Sequence, residues 1–307
     1  MIPSSIDRRR ITIFLLLAFS IAWSASLAIA LTGGLASPAL VAGINLPLLL
    51  LAGVVMPAPT LAHLLTRWIT HEGWQNLGLR PQLRKGRWRF WALAWLGTPL
   101  LILVGGATYY LLFPAQFDPT LAAARQLIEQ ATGQPLPIPV ETLVLLQSLQ
   151  AILIAPLING LFTFGEEFGW RAYLQPKLLP LGWRKTMVAM GILWGLWHAP
   201  VIALGHNYGL NYPGFPGSGI LMMCWMTFVV GVWLGWLTLK GESVWPAVIG
   251  HGALNGFAAI TTLCLTGTPN VLLGPTVAGA VGAAGFALVA ALLLRHPPAE
   301  LVHPPKP

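Results

Sequence analysis

Hydrophobic and polar positions divide this 307-residue chain into eight apolar stretches, at about 11–31, 39–65, 91–113, 140–163, 187–203, 219–239, 247–263 and 271–294. Each comes close to the roughly 20 residues that a helix needs to cross a bilayer. The pattern predicts an all-α polytopic transmembrane bundle of about eight spans. Pro47, Pro57 and Pro59 fall inside the second stretch and predict a break there. The first stretch follows "MIPSSIDRRR" and is 21 residues long. That exceeds a signal-peptide core, so it reads as a span that is retained.

The charges between the stretches give an orientation. Arg8, Arg9 and Arg10 precede the first span, the loop after it has no Lys or Arg, and "TRWITHEGWQNLGLRPQLRKGRWRF" has six. Counting on through the alternate loops, 16 of the 17 basic residues lie on one side. The bias of basic residues towards the cytoplasm then predicts two cytoplasmic termini and an even number of spans. The net charge of +8 is thus a topology signal and a contact for lipid headgroups, not a nucleic-acid surface.

Composition removes the soluble classes. Charged residues are 8% of the chain and hydrophobic ones 56%, with a mean hydropathy of +0.71; soluble domains carry about 25% charged residues. Cys224 and Cys264 read as small apolar packing residues rather than a disulfide framework. His296 and His303 belong to a Pro-rich tail. The glycines of "GVWLG" (Gly231, Gly235) and of "AGAVGAAG" form small-residue faces, for packing within the chain or for a dimer seam; the oligomeric state stays open. We divide the chain into N-terminal helices with a basic loop (1–135), a core (136–265), and a last span with its tail (266–307).

Ionisable groups at membrane depth are costly and ask for a partner or a task. Most of the nine acids lie in loops, whereas Glu166 and Glu167 continue directly from an apolar run in "FTFGEEFGWRAYL". Glu167 and Arg171, four residues apart, share a helix face and can neutralise one another. Glu166 is rotated by about 100° from Glu167 and is left for another partner. His198 in "GILWGLWHAP" sits one turn beyond Trp194, and His251 and Asn255 share a face in "VIGHGALNGF". His63 lies one turn from Arg67 and reads as an interface residue. Taken singly, these features fit an ion pair, a packed histidine and a polar clamp; together they point to an enzyme or transport site.

In this order, "EEFGWR", "WGLWH" and "HGALN" resemble the three signatures E-E-x-x-x-R, aromatic-x-x-x-H and H-x-x-x-N of a family. It is the CAAX prenyl protease 2 and bacteriocin-processing (CPBP) family of intramembrane proteases, also called lysostaphin-resistance-protein-A-like or Abi. The resemblance runs over about 140–263, and "MPAPTLAHLLTRW" and "NLGLR" are similar to the N-terminal half of bacterial members. Trp194 stands where the second motif usually has Phe, which bears on pocket shape more than on chemistry.

The resemblance implies an intramembrane endopeptidase of the glutamic type, without a cofactor, in a multi-pass plasma-membrane protein with a cytoplasm-facing cavity. Glu166 and His198 would activate water, His251 and Asn255 would form the oxyanion site, and Glu167, Arg171 and Trp194 would support them. Its partners would be the bilayer and a membrane-associated peptide: a prenylated CAAX-like protein, a leader or a pheromone. Three alternatives remain. One is a zinc metalloprotease with Glu166, His198 and His251 as ligands, against which no H-E-x-x-H occurs. The others are a non-proteolytic scaffold or immunity protein, and a transporter using the same residues as a proton relay. From the predicted boundaries Glu166 and His251 lie roughly 7 Å deep, Asn255 about 13 Å and His198 about 17 Å. A common site therefore requires the fourth helix to run on towards Leu174.

Overall fold

The computed structural model describes residues 6–298, so His303 and the end of the Pro-rich tail lie outside the described residues. Helix α1 (Arg8–Leu31) starts where the Asp7 carboxylate accepts from the Arg10 backbone N–H at 3.1 Å, which satisfies one of the free donors of a helix start. A short hairpin follows, β1 (Leu40–Val41) and β2 (Ile44–Asn45), turning at Ala42 and Gly43 with both φ angles positive. The second apolar stretch becomes α2 (Leu46–Leu50), a π turn at Leu51–Val55 and α3 (Ala58–Ile69). Pro47 occupies the first turn of α2, where its missing N–H costs nothing, and Asn45 caps it; this proline starts the helix instead of breaking it.

The third span is α4 (Trp88–Ala92), a second π turn at Leu93–Gly97 and α5 (Thr98–Leu112). The loop beyond it contains α6 (Ala122–Thr132). Helix α7 (Val140–Leu153) meets α8 (Ala155–Gly169) at a 48° bend. From α8 the chain stays helical through a third π turn, Trp170–Leu174, into α9 (Gln175–Leu178). The remaining helices are α10 (Trp183–Trp197), α11 (Ala199–Ala203), α12 (Gly217–Gly241), α13 (Trp245–Phe257) and α14 (Ala284–Arg295).

Among the described residues five helices are long and apolar enough to cross a membrane, or six if the bent α7–α8 pair is one span. Three of the eight predicted stretches do not form one long helix, the first being 140–163, which bends between α7 and α8. Residues 187–203 stop at His198, with Pro200 opening α11, and 271–294 are helical only from Ala284. Glycines at 274, 279 and 282 crowd the preceding segment, where hydropathy is high but helix propensity is low. Large apolar side chains face outwards on the long helices, among them Leu16, Leu111, Leu161 and Leu221. That is the surface of a chain whose solvent is lipid, and the molecule is an integral membrane protein.

Two close helix pairs centre the fold: α8 against α13, and α10 against α12. Glycine sets the first. A Cβ at Gly252 would come within 2.6 Å of the Pro156 carbonyl oxygen, so the two backbones approach as closely as only glycine allows. Thr163 and Asn159 then donate from α8 to the Val248 and Gly252 carbonyls of α13, at 2.9 and 3.2 Å. Gly231 and Gly235 of α12 are buried and face Arg171 and Gln175, so the "GVWLG" face is used within the chain. The glycines of "AGAVGAAG" do likewise: Gly282 and Gly285 abut Gly105 and Leu101 of α5.

Candidate active site

The two glutamates lie in the last turn of α8 before the π turn that carries Arg171; all three are buried, Glu166 with 4% of its surface exposed. Continuation of the helix through the motif, expected as far as Leu174, extends to Leu178. Counted from that end, Glu166 is about 18 Å along the helix, against the roughly 7 Å predicted. His198, at the end of α10, is about 22 Å from Trp183. The two distances from the neighbouring helix ends are thus similar, because the polar motif is helix interior rather than the end of a helix.

Glu167 is the shared anchor. Its Oε1 accepts from Arg171 Nη1 at 2.9 Å and from His251 Nδ1 at 2.8 Å. The predicted i, i+4 ion pair is therefore present, and it also fixes the histidine of the third motif. With Nδ1–H spent on the carboxylate, the His251 ring leaves Nε2 as its outward atom.

Trp194 joins the rest. Its indole N–H donates to Glu166 Oε2 at 2.8 Å, and its ring lies 4.0 Å from the Arg171 guanidinium carbon. It meets His251 edge-on at 5.3 Å, and its carbonyl accepts from His198 Nδ1 at 2.7 Å. One side chain thus touches all three motifs. The partner left open for Glu166 is this N–H, which phenylalanine, the usual residue of the motif, does not have.

The site residues do not all meet. His198 is only half-buried and is tied to the site through the Trp194 backbone. Asn255, one turn beyond His251 on α13, is exposed and makes no hydrogen bond among the described residues.

Several supporting residues were not singled out from sequence. His63, read as an interface residue, is fully buried: Nδ1–H donates to the Phe168 carbonyl at 2.9 Å and Nε2 accepts from Arg67 Nε at 2.7 Å. That histidine holds the backbone immediately after Glu167. Thr163 and Asn159 were legible as polar residues recurring at four-residue spacing ahead of Glu167. In the basic loop, Gly78 and Leu79 of "NLGLR" accept from Val244 N at 3.0 Å and Trp245 Nε1 at 2.7 Å. This pins the start of α13, whose first residue has no side-chain cap. Nearby, Glu72 accepts from Lys177 and, at 2.9 Å, from the Tyr173 hydroxyl.

Nδ1 of His198 and of His251 is engaged, which leaves Nε2 as the open atom of each ring, and no three His, Cys, Asp or Glu side chains converge as a metal-holding group among the described residues.

Residues 142–257 match the family model described as Rce1-like, type II CAAX prenyl endopeptidase. No curated protein matches the chain. Glu166, Glu167, Arg171, Trp194, His198, His251 and Asn255 all fall within the matched stretch, and the family of that model is the one that the three motifs resemble.

Proposed function

We propose that the protein is an intramembrane endopeptidase of the glutamic type, which hydrolyses a peptide bond of a membrane-associated peptide. The observation that carries this reading is the division of labour between adjacent glutamates. Glu167 is neutralised by Arg171, while Glu166 receives one neutral N–H among the described residues, from Trp194, and keeps an oxygen for a proton.

In the proposed reaction Glu166 takes a proton from water as the water oxygen attacks the scissile carbonyl carbon, with His198 Nε2 orienting that water. The carbonyl oxygen becomes an oxyanion. The His251 ring, held by Glu167, and the unengaged Asn255 amide form the site that receives it. Such fixed donors in a dry site typically contribute about 3–4 kcal/mol each. Glu166 then returns the proton to the leaving nitrogen as the C–N bond breaks. Basic residues near the ends of α1, α3 and α9 support cytoplasmic termini and a site reached from the cytoplasmic leaflet of the plasma membrane. Candidate substrates are a prenylated CAAX-like protein, a leader peptide and a pheromone.

The test uses full-length protein in vesicles with a quenched fluorescent, farnesylated CAAX peptide, and with leader-type peptides in parallel. Glu166→Gln retains an acceptor for the Trp194 N–H but removes the base. Cleavage is expected to fall by about 10²–10⁴-fold with the fold intact. Cleavage at the wild-type rate would rule out the base assignment. Activity lost on chelation and restored by zinc would instead establish the metal mechanism.

A further inference from the structure

Three side chains spaced four residues apart leave polar atoms without a partner: Glu167 Oε2, Arg171 Nε and Nη2, and Gln175 Oε1. Each residue is no more than 1% exposed. Their other atoms are fixed. Arg171 Nη1 donates to Glu167 Oε1, Gln175 Nε2 donates to the Gly235 carbonyl at 3.1 Å, and the Trp194 ring covers one face of the guanidinium. The unpartnered atoms therefore cannot simply swing towards new partners.

Opposite them, α12 presents Gly231 and Gly235, and the two positions differ. A Cβ at Gly235 would lie 2.7 Å from Gln175 Oε1 and 3.1 Å from Met187 Sδ, so that position is full. A Cβ at Gly231 would meet only Arg171 Nη2, at 3.6 Å. Space is thus left open on the side where a buried cation has N–H groups to give. Leaving such a donor unmet is destabilising, the more so for a charged group.

We propose that the seam between Arg171 and Gly231 is an internal hydration site, in which bound water accepts from the guanidinium and donates to Gln175 Oε1 or Glu167 Oε2. Buried water typically makes about three hydrogen bonds to groups of this kind. The seam offers both donors and acceptors, as water requires. An anion would face the carboxylates of Glu166 and Glu167, and no converging ligand set exists for a metal among the described residues. The glycine at 231 then serves to leave room for solvent, whereas Gly235 serves close approach. This inference does not depend on the proposed activity.

Thermal unfolding of the full-length protein in detergent tests it through Gly231→Ala and Gly231→Ser. If the gap is dry, alanine fills it and improves helix propensity, so Tm rises by about 2–4 °C. If water occupies it, alanine expels the water and strands Arg171, so Tm falls. Serine, a poorer helix former than alanine, then recovers at least half of that fall because its hydroxyl accepts from Nη2. A rise with alanine, or serine no better than alanine, overturns the proposal. A wild-type structure at a resolution that shows ordered water is expected to place one within about 3.2 Å of Nη2; a bare guanidinium edge there overturns it as well.

Discussion

Glu167 and Arg171 are 0% and 1% exposed at the side chain and 2.9 Å apart, which makes the pair a sensitive place to perturb. Removing one partner of a buried ion pair strands the other and typically costs about 3–5 kcal/mol, whereas removing both is often near neutral. Arg171→Met leaves the Glu167 carboxylate with one donor, His251 Nδ1, and forfeits the stacking on Trp194, worth about 2 kcal/mol when desolvated. That variant belongs at the upper end, near 5 kcal/mol. Glu167→Gln keeps a carbonyl that still accepts from Arg171 and His251, so about 3 kcal/mol is expected. In the double variant no charge of the pair remains and the glutamine still accepts from His251; a loss of about 1–2 kcal/mol is expected. The coupling between the two positions then comes to several kcal/mol, far above the few tenths that separate independent sites. Urea or thermal unfolding of the four proteins in one detergent measures it. Additive single losses, or an Arg171→Met variant within about 0.5 kcal/mol of wild type, would refute the reasoning.

Other expectations concern function and pH. Asn255→Ala is expected to lower kcat by about 10²–10³-fold with Tm unchanged, because the side chain is exposed and unbonded but proposed as an oxyanion donor; peptide cleavage and unfolding measured on one preparation check this. Trp194→Phe restores the usual residue of the motif and removes a single N–H to Glu166, a bond to a charged group worth about 1.5–3 kcal/mol. A 10–100-fold change in kcat is therefore expected, with KM steady, and wild-type kinetics would remove Trp194 from the positioning role. Burial pushes the Glu72 carboxyl up, but the Lys177 and Tyr173 bonds outweigh it and hold the group below its ordinary value of 4.5. A depressed acid stabilises the fold at pH values above its unfolded pKa and loses that contribution as pH falls through the folded one. Stability is thus expected to drop on acidification below about pH 4.5, and Glu72→Gln to flatten that limb; equal acid limbs for both proteins would contradict it.

What the sequence made legible was local. The i, i+4 spacing of Glu167 and Arg171 fixes their contact by helix geometry alone, and the structure has it. The approach of His251 to Glu167 depends on how α8 crosses α13, which Gly252 and the Pro156 carbonyl determine from positions about 100 residues apart. No single-helix periodicity contains that information. The depth estimate missed because the polar residues of a buried helix look like the end of a span. The stretch 271–294 has the hydropathy of a span, but its first half is glycine-rich and not helical. His63 looked peripheral because its neighbour Arg67 is a cation, yet both turn inwards and satisfy each other.

The strap formed by Gly78 and Leu79 reaches from the basic loop to the first residues of α13, and His63 reaches from α3 to Phe168. Both contacts cross the border of the stretch that matches the endopeptidase family model, residues 142–257. Family likeness and mechanical integrity thus have different boundaries in this chain. A fragment cut at the homology limits, or a chimera joined there, would carry every motif yet lack the braces that keep those motifs in register.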